Sequence, residues 1–173
     1  MKEGKDNLIV GLDIGTSKVV AIVAEVAPDG AFNVVGLGSQ PSRGLKKGVV
    51  VNIDRTVESI RKAVKEAELM AGAAINTVYV GISGEHIKGL TSKGMSVIAK
   101  QEVGQTDINR AIDTARNINI PGTHQILHVL PQEFIIDEQG GILEPLGMSG
   151  ARLEVKVHII TGAVTAIQNI VKS

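Results

Sequence analysis

Residues 8–26, LIVGLDIGTSKVVAIVAEV, set two Val- and Ile-rich runs on either side of a Gly-Thr-Ser-Lys break. Short β-branched runs bounded by turn residues read as strands. A parallel pairing needs a crossover of a dozen residues or more, so two strands this close in sequence pair antiparallel, as a hairpin. The turn carries an acid before it, Asp13, and a cation after it, Lys18. Gly15 is expected to take up positive φ there, and the N–H groups of Gly15, Thr16 and Ser17 to converge on an anion. Thr16 and Ser17 add hydroxyl donors, and Lys18 reaches a β- or γ-phosphate. Asp13 is a poor neighbour for a polyanion unless Mg²⁺ lies between them, since Mg²⁺ combines one or two carboxylates with water and phosphate oxygens. The competing reading is a plain hairpin loop with Asx- or Thr-type turn bonds and a solvated Lys18. The six letters DIGTSK leave both open. A strand follows the turn, so this is neither the glycine-rich turn of a dinucleotide fold nor a P-loop.

Downstream, FNVVGLGS (32–39) is a third strand, joined through the turn APDG (27–30), and QPSRGLKKG (40–48) is a loop. From Asp54 the period changes: Val57, Ile60, Val64, Ala67 and Ala71 mark the apolar face of a helix, with Asn52 or Asp54 as N-cap and Gly72 as stop. TVYVGIS (77–83) is the next strand, giving β-β-β-α-β. From Gly84 the character shifts. GMSVIA (94–99) is strand-like, and Thr106 is placed as the cap of a second helix carrying Ile108, Ala111, Ile112, Ala115 and Ile118. HQILHVLPQEFIID (124–137) and ARLEVKVHIIT (151–161) are strands separated by the loop EQGGILEPLGMSG, and Pro131 predicts an edge or a bulge in the first. These 75 or so residues suffice for a small α+β module. AVTAIQNIVKS (163–173) begins a third helix with no glycine cap, which predicts a chain cut inside or just after a helix of a longer protein.

Charge excludes some functions. Lys plus Arg equals Asp plus Glu at 18 each, and the aromatics are only Phe32, Tyr79 and Phe134. No basic patch exists to neutralise phosphates and little to stack bases on, so no nucleic acid is expected as a partner. No cysteine is present, and no apolar run approaches a secretory or membrane-spanning segment. The expectation is a cytoplasmic protein. His86, His124, His128 and His158 lack an accompanying acid at ligand spacing and read as ordinary strand and loop histidines. Asp137, Glu138 and Glu85 read as solvated acids. Ser83 is not in the G-x-S-x-G order of a nucleophile elbow.

An apolar strand, Asp-x-Gly-Thr and a Lys-initiated strand in β-β-β-α-β order resemble the first phosphate-binding hairpin of the actin, Hsp70 and sugar-kinase superfamily, with its ribonuclease H-like fold. The flanks narrow this. GLDIGTSKV, PSRGLKKGVVVNID, AELMAG, SGEHI, LHVLPQEFIID, PLGMSGARLEVKVHIITG and NIVKS are similar to the bacterial actin-like cell-division family FtsA, from about residue 8 onward. The resemblance implies a mixed α/β and α+β chain. Residues 1–84 would be the first part of actin-like subdomain 1A, 85–161 an inserted SHS2-type subdomain 1C, and 162–173 a return to 1A. It implies ATP held at Gly15, Thr16, Ser17 and Lys18, with Mg²⁺ at Asp13 through water. It also implies a scaffold that polymerises with itself. Such a scaffold links the tubulin-like ring protein FtsZ and other division proteins to the cytoplasmic face of the inner membrane at the division site. The second phosphate hairpin, the adenosine contacts and the C-terminal amphipathic membrane helix would lie beyond Ser173. At most a weak ATPase is implied, with no catalytic residue here. The alternatives are a pilus-assembly actin-like ATPase scaffold and a sugar or acyl kinase of the same superfamily.

A magnitude limits this hairpin alone. Three or four charge-assisted hydrogen bonds at about 1.5–3 kcal/mol each face an association cost of roughly 4–15 kcal/mol. Micromolar binding needs about 8 kcal/mol net. The 173-residue chain alone is therefore expected not to hold ATP measurably.

Overall fold

The computed structural model describes residues 7–173. They form two compact units, one reaching His86 and regaining the chain at Thr165–Ser173, the other Ile87–Val164.

In the first unit β1 (Leu8–Ile14), β2 (Lys18–Val26) and β3 (Phe32–Pro41) make an antiparallel meander. The turn between β2 and β3 is closed by Gly30 N–H to the Ala27 carbonyl at 2.9 Å, with Gly30 at φ 83°. Two short strands, β4 (Leu45–Lys46) and β5 (Val49–Val50), form a separate small hairpin. Helix α1 (Ile53–Ala71) then carries the chain to β6 (Tyr79–Gly81), which pairs parallel with β1, so the sheet order is β3-β2-β1-β6. Asn52 is the N-cap, its side chain accepting the Arg55 N–H at 3.0 Å, and Gly72 stops the helix in the left-handed region.

The buried stripe of α1 keeps Ala67 and Ala71 of the face its periodicity predicts and shifts at the rest. Thr56, Ser59, Ala63, Ala67 and Ala71 are buried, while Ile60 and Val64 pack only partly against the core. The cause lies in β3. A side chain at Gly38 would run into the Ala63 carbonyl oxygen, and one at Gly36 would stand 2.6 Å from the Ala67 carbonyl oxygen. Two glycines let the helix settle onto the strand, and only small residues fit the seam. Val10, Leu12, Ile14, Val19, Ala21 and Val23 complete this core from β1 and β2, joined by Ile170 of α3 (Val164–Lys172).

The second unit uses the same device. Its antiparallel sheet runs β7-β10-β8-β9, from β7 (Ile87–Val97), β8 (His124–Ile136), β9 (Gln139–Ile142) and β10 (Arg152–Ala163). Helix α2 (Gln105–Arg116) lies where Gly94 leaves room, since a side chain there would meet the Ala111 backbone and stand 2.8 Å from Ala115 Cβ. Leu153, Val155, Val157 and Ile159 alternate along β10 and are fully buried, the period-two signature of a strand with one core face.

Other expectations change as well. β7 starts at Ile87 rather than at Gly94, its polar first half masking the alternation. Only Tyr79–Gly81 of the 77–83 segment pairs as a strand. The loop before β10 contains β9. Thr106 is not a cap: the helix begins at Gln105, with Gly104 at the N-cap and Asp107 Oδ2 accepting the Gly104 N–H at 3.0 Å. At Pro131 the register slips: Lys156 faces Glu133 while Val157 faces Pro131, so Gln132 is bulged out, as a residue lacking an N–H requires. Among the described residues no helix is long and apolar enough to cross a membrane.

Candidate functional site

The β1–β2 hairpin pairs Ile14 with Val19, and the Gly15 N–H donates to the Lys18 carbonyl at 3.0 Å. Gly15 does not adopt positive φ, contrary to expectation. Glycine is needed for space instead: an added Cβ would stand 2.9 Å from the Lys18 carbonyl oxygen. Because its N–H closes the turn, Gly15 also drops out of the set of free donors. The Thr16 and Ser17 N–H groups face no protein acceptor among the described residues. They are the donors left for an anion.

The surroundings hold this turn from below. Thr16 Oγ1 accepts the Gly48 N–H at 2.9 Å, and the Ser17 carbonyl accepts the Ser42 N–H at 3.0 Å. Thr16, Ser17 and Lys18 are otherwise exposed. Lys18 and Asp13 form no ion pair with each other or with any described residue. The Gly48 contact was not read from sequence. Its signal was the Lys47-Gly48 pair between two short apolar runs, a two-residue turn whose residues sit at φ 50° and 76°.

Asp13 is exposed at the end of β1, opposite Val20 on β2 and Gly81 on β6. Side chains added at Gly15 or Gly81 would come within 3.8 and 3.9 Å of its two carboxylate oxygens, so the carboxylate stands in a gap bounded by two glycines. No group of three metal-ligating side chains gathers among the described residues. One accessible carboxylate beside free donors fits Mg²⁺ held largely by water and phosphate, and does not fit an all-protein metal cage. Gly11, Asp13, Val20, Ile22, Tyr79 and Gly81 line a shallow hollow of about 240 Å³ on the sheet face turned away from α1. A larger hollow of about 490 Å³ lies on the opposite face, lined chiefly by Leu12, Ile14, Ile60, Val80 and Ile170. Among the described residues that line it, no side chain is charged.

None of the four histidines belongs to this hairpin. His124 Nδ1 is 3.1 Å from Thr123 Oγ1, His128 faces Ile160 across the ladder, and His158 lies over Gly89. His86 ends the first unit with neither ring nitrogen hydrogen-bonded.

Residues 84–161 match the family model of the SHS2 domain inserted in FtsA. The whole chain compares with curated cell division proteins of the same name. It is 57% identical over 165 residues to FtsA of Pseudomonas aeruginosa, covering 95% of this chain and 40% of that protein. With FtsA of Neisseria meningitidis the identity is 55% over 98% of this chain, and with FtsA of Escherichia coli 46% over 96%. Over its own length the chain matches FtsA. It spans about 40% of the length of these FtsA relatives. Among solved structures, the PilM–PilN type IV pilus biogenesis complex superposes with a TM-score of 0.58 at 18% identity, over 95% of this chain and 43% of that one. The likeness extends to the fold alone. The mixed α/β fold class read from sequence therefore stands, with residues 84–161 matching the SHS2 domain inserted in FtsA.

Proposed function

We propose that this chain supplies one wall of an ATP site in an actin-like cell-division scaffold. Thr16 and Ser17 would offer N–H and hydroxyl donors to the phosphates, Lys18 its charge, and Gly15 the tight turn. Asp13 would hold Mg²⁺ through water. The carrying observation is local: Thr16 N–H, Ser17 N–H, Lys18 and Asp13 lie together at one sheet end with no protein partner among the described residues. Polar groups gathered this way serve a ligand or stay solvated, and the adjoining hollow leaves room for the ligand.

In this reading residues 1–84 and 162–173 are actin-like subdomain 1A and 85–161 the inserted subdomain 1C, used for self-association and for division partners. The intact scaffold would polymerise and link the FtsZ ring to the cytoplasmic face of the inner membrane. The strength of the FtsA match supports this over a pilus scaffold or a metabolic kinase. Binding is the task assigned to this hairpin.

Calorimetry with ATP and Mg²⁺ tests the site. The complete gene product is expected to bind, Lys18→Ala to weaken it at least about tenfold, and the 173-residue chain to show no measurable heat. Tight binding by the 173-residue chain, or an unaffected Lys18→Ala variant, would refute the assignment.

A further inference from the structure

Three segments of the first unit meet at Gly48: the Thr16 side chain on one side and the Ser83–Gly84 backbone on the other. The Gly48 N–H donates to Thr16 Oγ1 at 2.9 Å. On its other side, a side chain added at Gly48 would run into the Ser83 carbonyl oxygen and stand 2.9 Å from Gly84 Cα. Gly84, at φ 144°, has room for none either: its Cβ would stand 2.9 Å from His86 Nδ1 and 3.1 Å from the Lys47 carbonyl oxygen. Gly48 itself is held in the left-handed region as the second residue of the β4–β5 turn. The exposed Lys47–Glu85 pair at 3.9 Å adds little. The Thr16 hydroxyl and the glycine backbones do the holding.

We propose that Gly48 is a positioning residue for the phosphate hairpin, and that phosphate contact at Thr16 is coupled through it to the backbone at Ser83–Gly84. The inference rests on the ATP reading given above. A hydroxyl has two lone pairs and one proton. Accepting the Gly48 N–H fixes Thr16 Oγ1 and leaves the proton to be donated outward, to a phosphate oxygen. A phosphate that draws Thr16 outward lengthens the bond to Gly48, and Gly48 in turn bears directly on Ser83. Beyond the Thr16 hydroxyl the contact is backbone on backbone, from Gly48 to Ser83 and Gly84, and packed main chain passes a shift on. Ser83–Gly84 stands three residues before Ile87, where the second unit begins. The occupancy of the hairpin is thereby sensed at the exit toward the inserted domain, and coupling of this kind works in both directions.

Amide hydrogen exchange on the 173-residue chain without nucleotide tests the mechanical part. Thr16→Val removes the acceptor and is expected to speed exchange at Gly48 by about tenfold, with lost protection at residues 84–87. Thr16→Ser keeps the hydroxyl and is expected to restore both. Loosening at Gly48 with residues 84–87 unchanged would overturn the coupling. The reciprocal arm uses the complete gene product and does not depend on the Thr16→Val variant folding. Gly84→Ala touches no phosphate, yet is expected to lower affinity for ATP with Mg²⁺ about fivefold or more. Wild-type affinity in that variant overturns the coupling and leaves the ATP site standing. Failure of the wild-type gene product to bind ATP overturns both.

Discussion

Glu66 of α1 closes the outer edge of β3: its Oε2 accepts the Ser39 N–H at 3.0 Å and Gln40 Nε2 at 2.9 Å. One turn on, Met70 Sδ accepts the Leu37 N–H at 3.2 Å. β3 is an edge strand, and alternate N–H groups on such an edge are templates for another chain. Here the helix that crosses the strand satisfies them. Replacing Glu66 by Ala is therefore expected to free the Ser39 N–H and promote edge-to-edge association. Sedimentation or light scattering across a concentration series checks this. A variant as monodisperse as the parent would show that α1 covers the edge by bulk alone.

The same carboxylate makes stability pH-dependent. Hydrogen bonds from the Gln40 side chain and the Ser39 N–H hold Glu66 below the usual glutamate range. Glu58 is lowered by its hydrogen bond and charge interaction with Lys62, and Glu68 chiefly by accepting the Ile75 N–H. For each group the folded state favours the charged form. The stability each contributes is present above its unfolded-state value and lost as pH falls through its folded value. Urea midpoints are expected to fall modestly between about pH 5 and pH 3. In Glu66→Gln and Glu68→Gln that fall should be shallower than in the parent, and an equally steep fall in both would remove these carboxylates as its cause.

Gly38 and Gly11 lie on two strands of the same sheet and should respond differently to the same substitution. Gly38→Ala drives a methyl into the Ala63 carbonyl oxygen, and lifting α1 off the sheet is expected to cost about 1–3 kcal/mol or more. A side chain at Gly11 meets nothing within 4 Å, so Gly11→Ala is expected to lie near neutral, within about 1 kcal/mol. Thermal melts of the two variants decide it. Similar midpoints would mean that the helix–sheet seam is slack.

How far the sequence discloses this molecule varies with the physics of each part. Strands β1, β2, β8 and β10 were legible because a buried face writes its period into apolar residues. The buried seam of α1 was not, because Thr56, Ser59 and Ala63 are small rather than strongly apolar, and the strand glycines that select them lie well upstream. β7 was half hidden since Lys88, Gly89, Thr91 and Lys93 are exposed. At the hairpin the residue types were readable and the backbone was not. Sequence marks Gly15 as special, but whether for positive φ or for want of a Cβ depends on where the Lys18 carbonyl falls. The Gly48 brace, far from Thr16 along the chain, left only the Lys-Gly turn signal.

The caps distinguish legible from misread termini by experiment. Asn52 accepts the Arg55 N–H, and Asn52→Ala should cost about 1 kcal/mol. Thr106 sits inside the first turn of α2, exposed and bonding no cap donor, so Thr106→Ala should stay within about 0.5 kcal/mol of the parent. Asp107 is 5% exposed and reaches back to the Gly104 N–H. Its replacement by Ala strips a half-buried donor of its acceptor and loses a negative charge favourable at a helix N-terminus, which should cost about 1–2 kcal/mol. Denaturant midpoints of the three variants should therefore rank Thr106→Ala highest. If Thr106→Ala is instead the most damaging of the three, the Thr106 hydroxyl caps α2 in solution and the helix starts after it, at Asp107, rather than at Gln105.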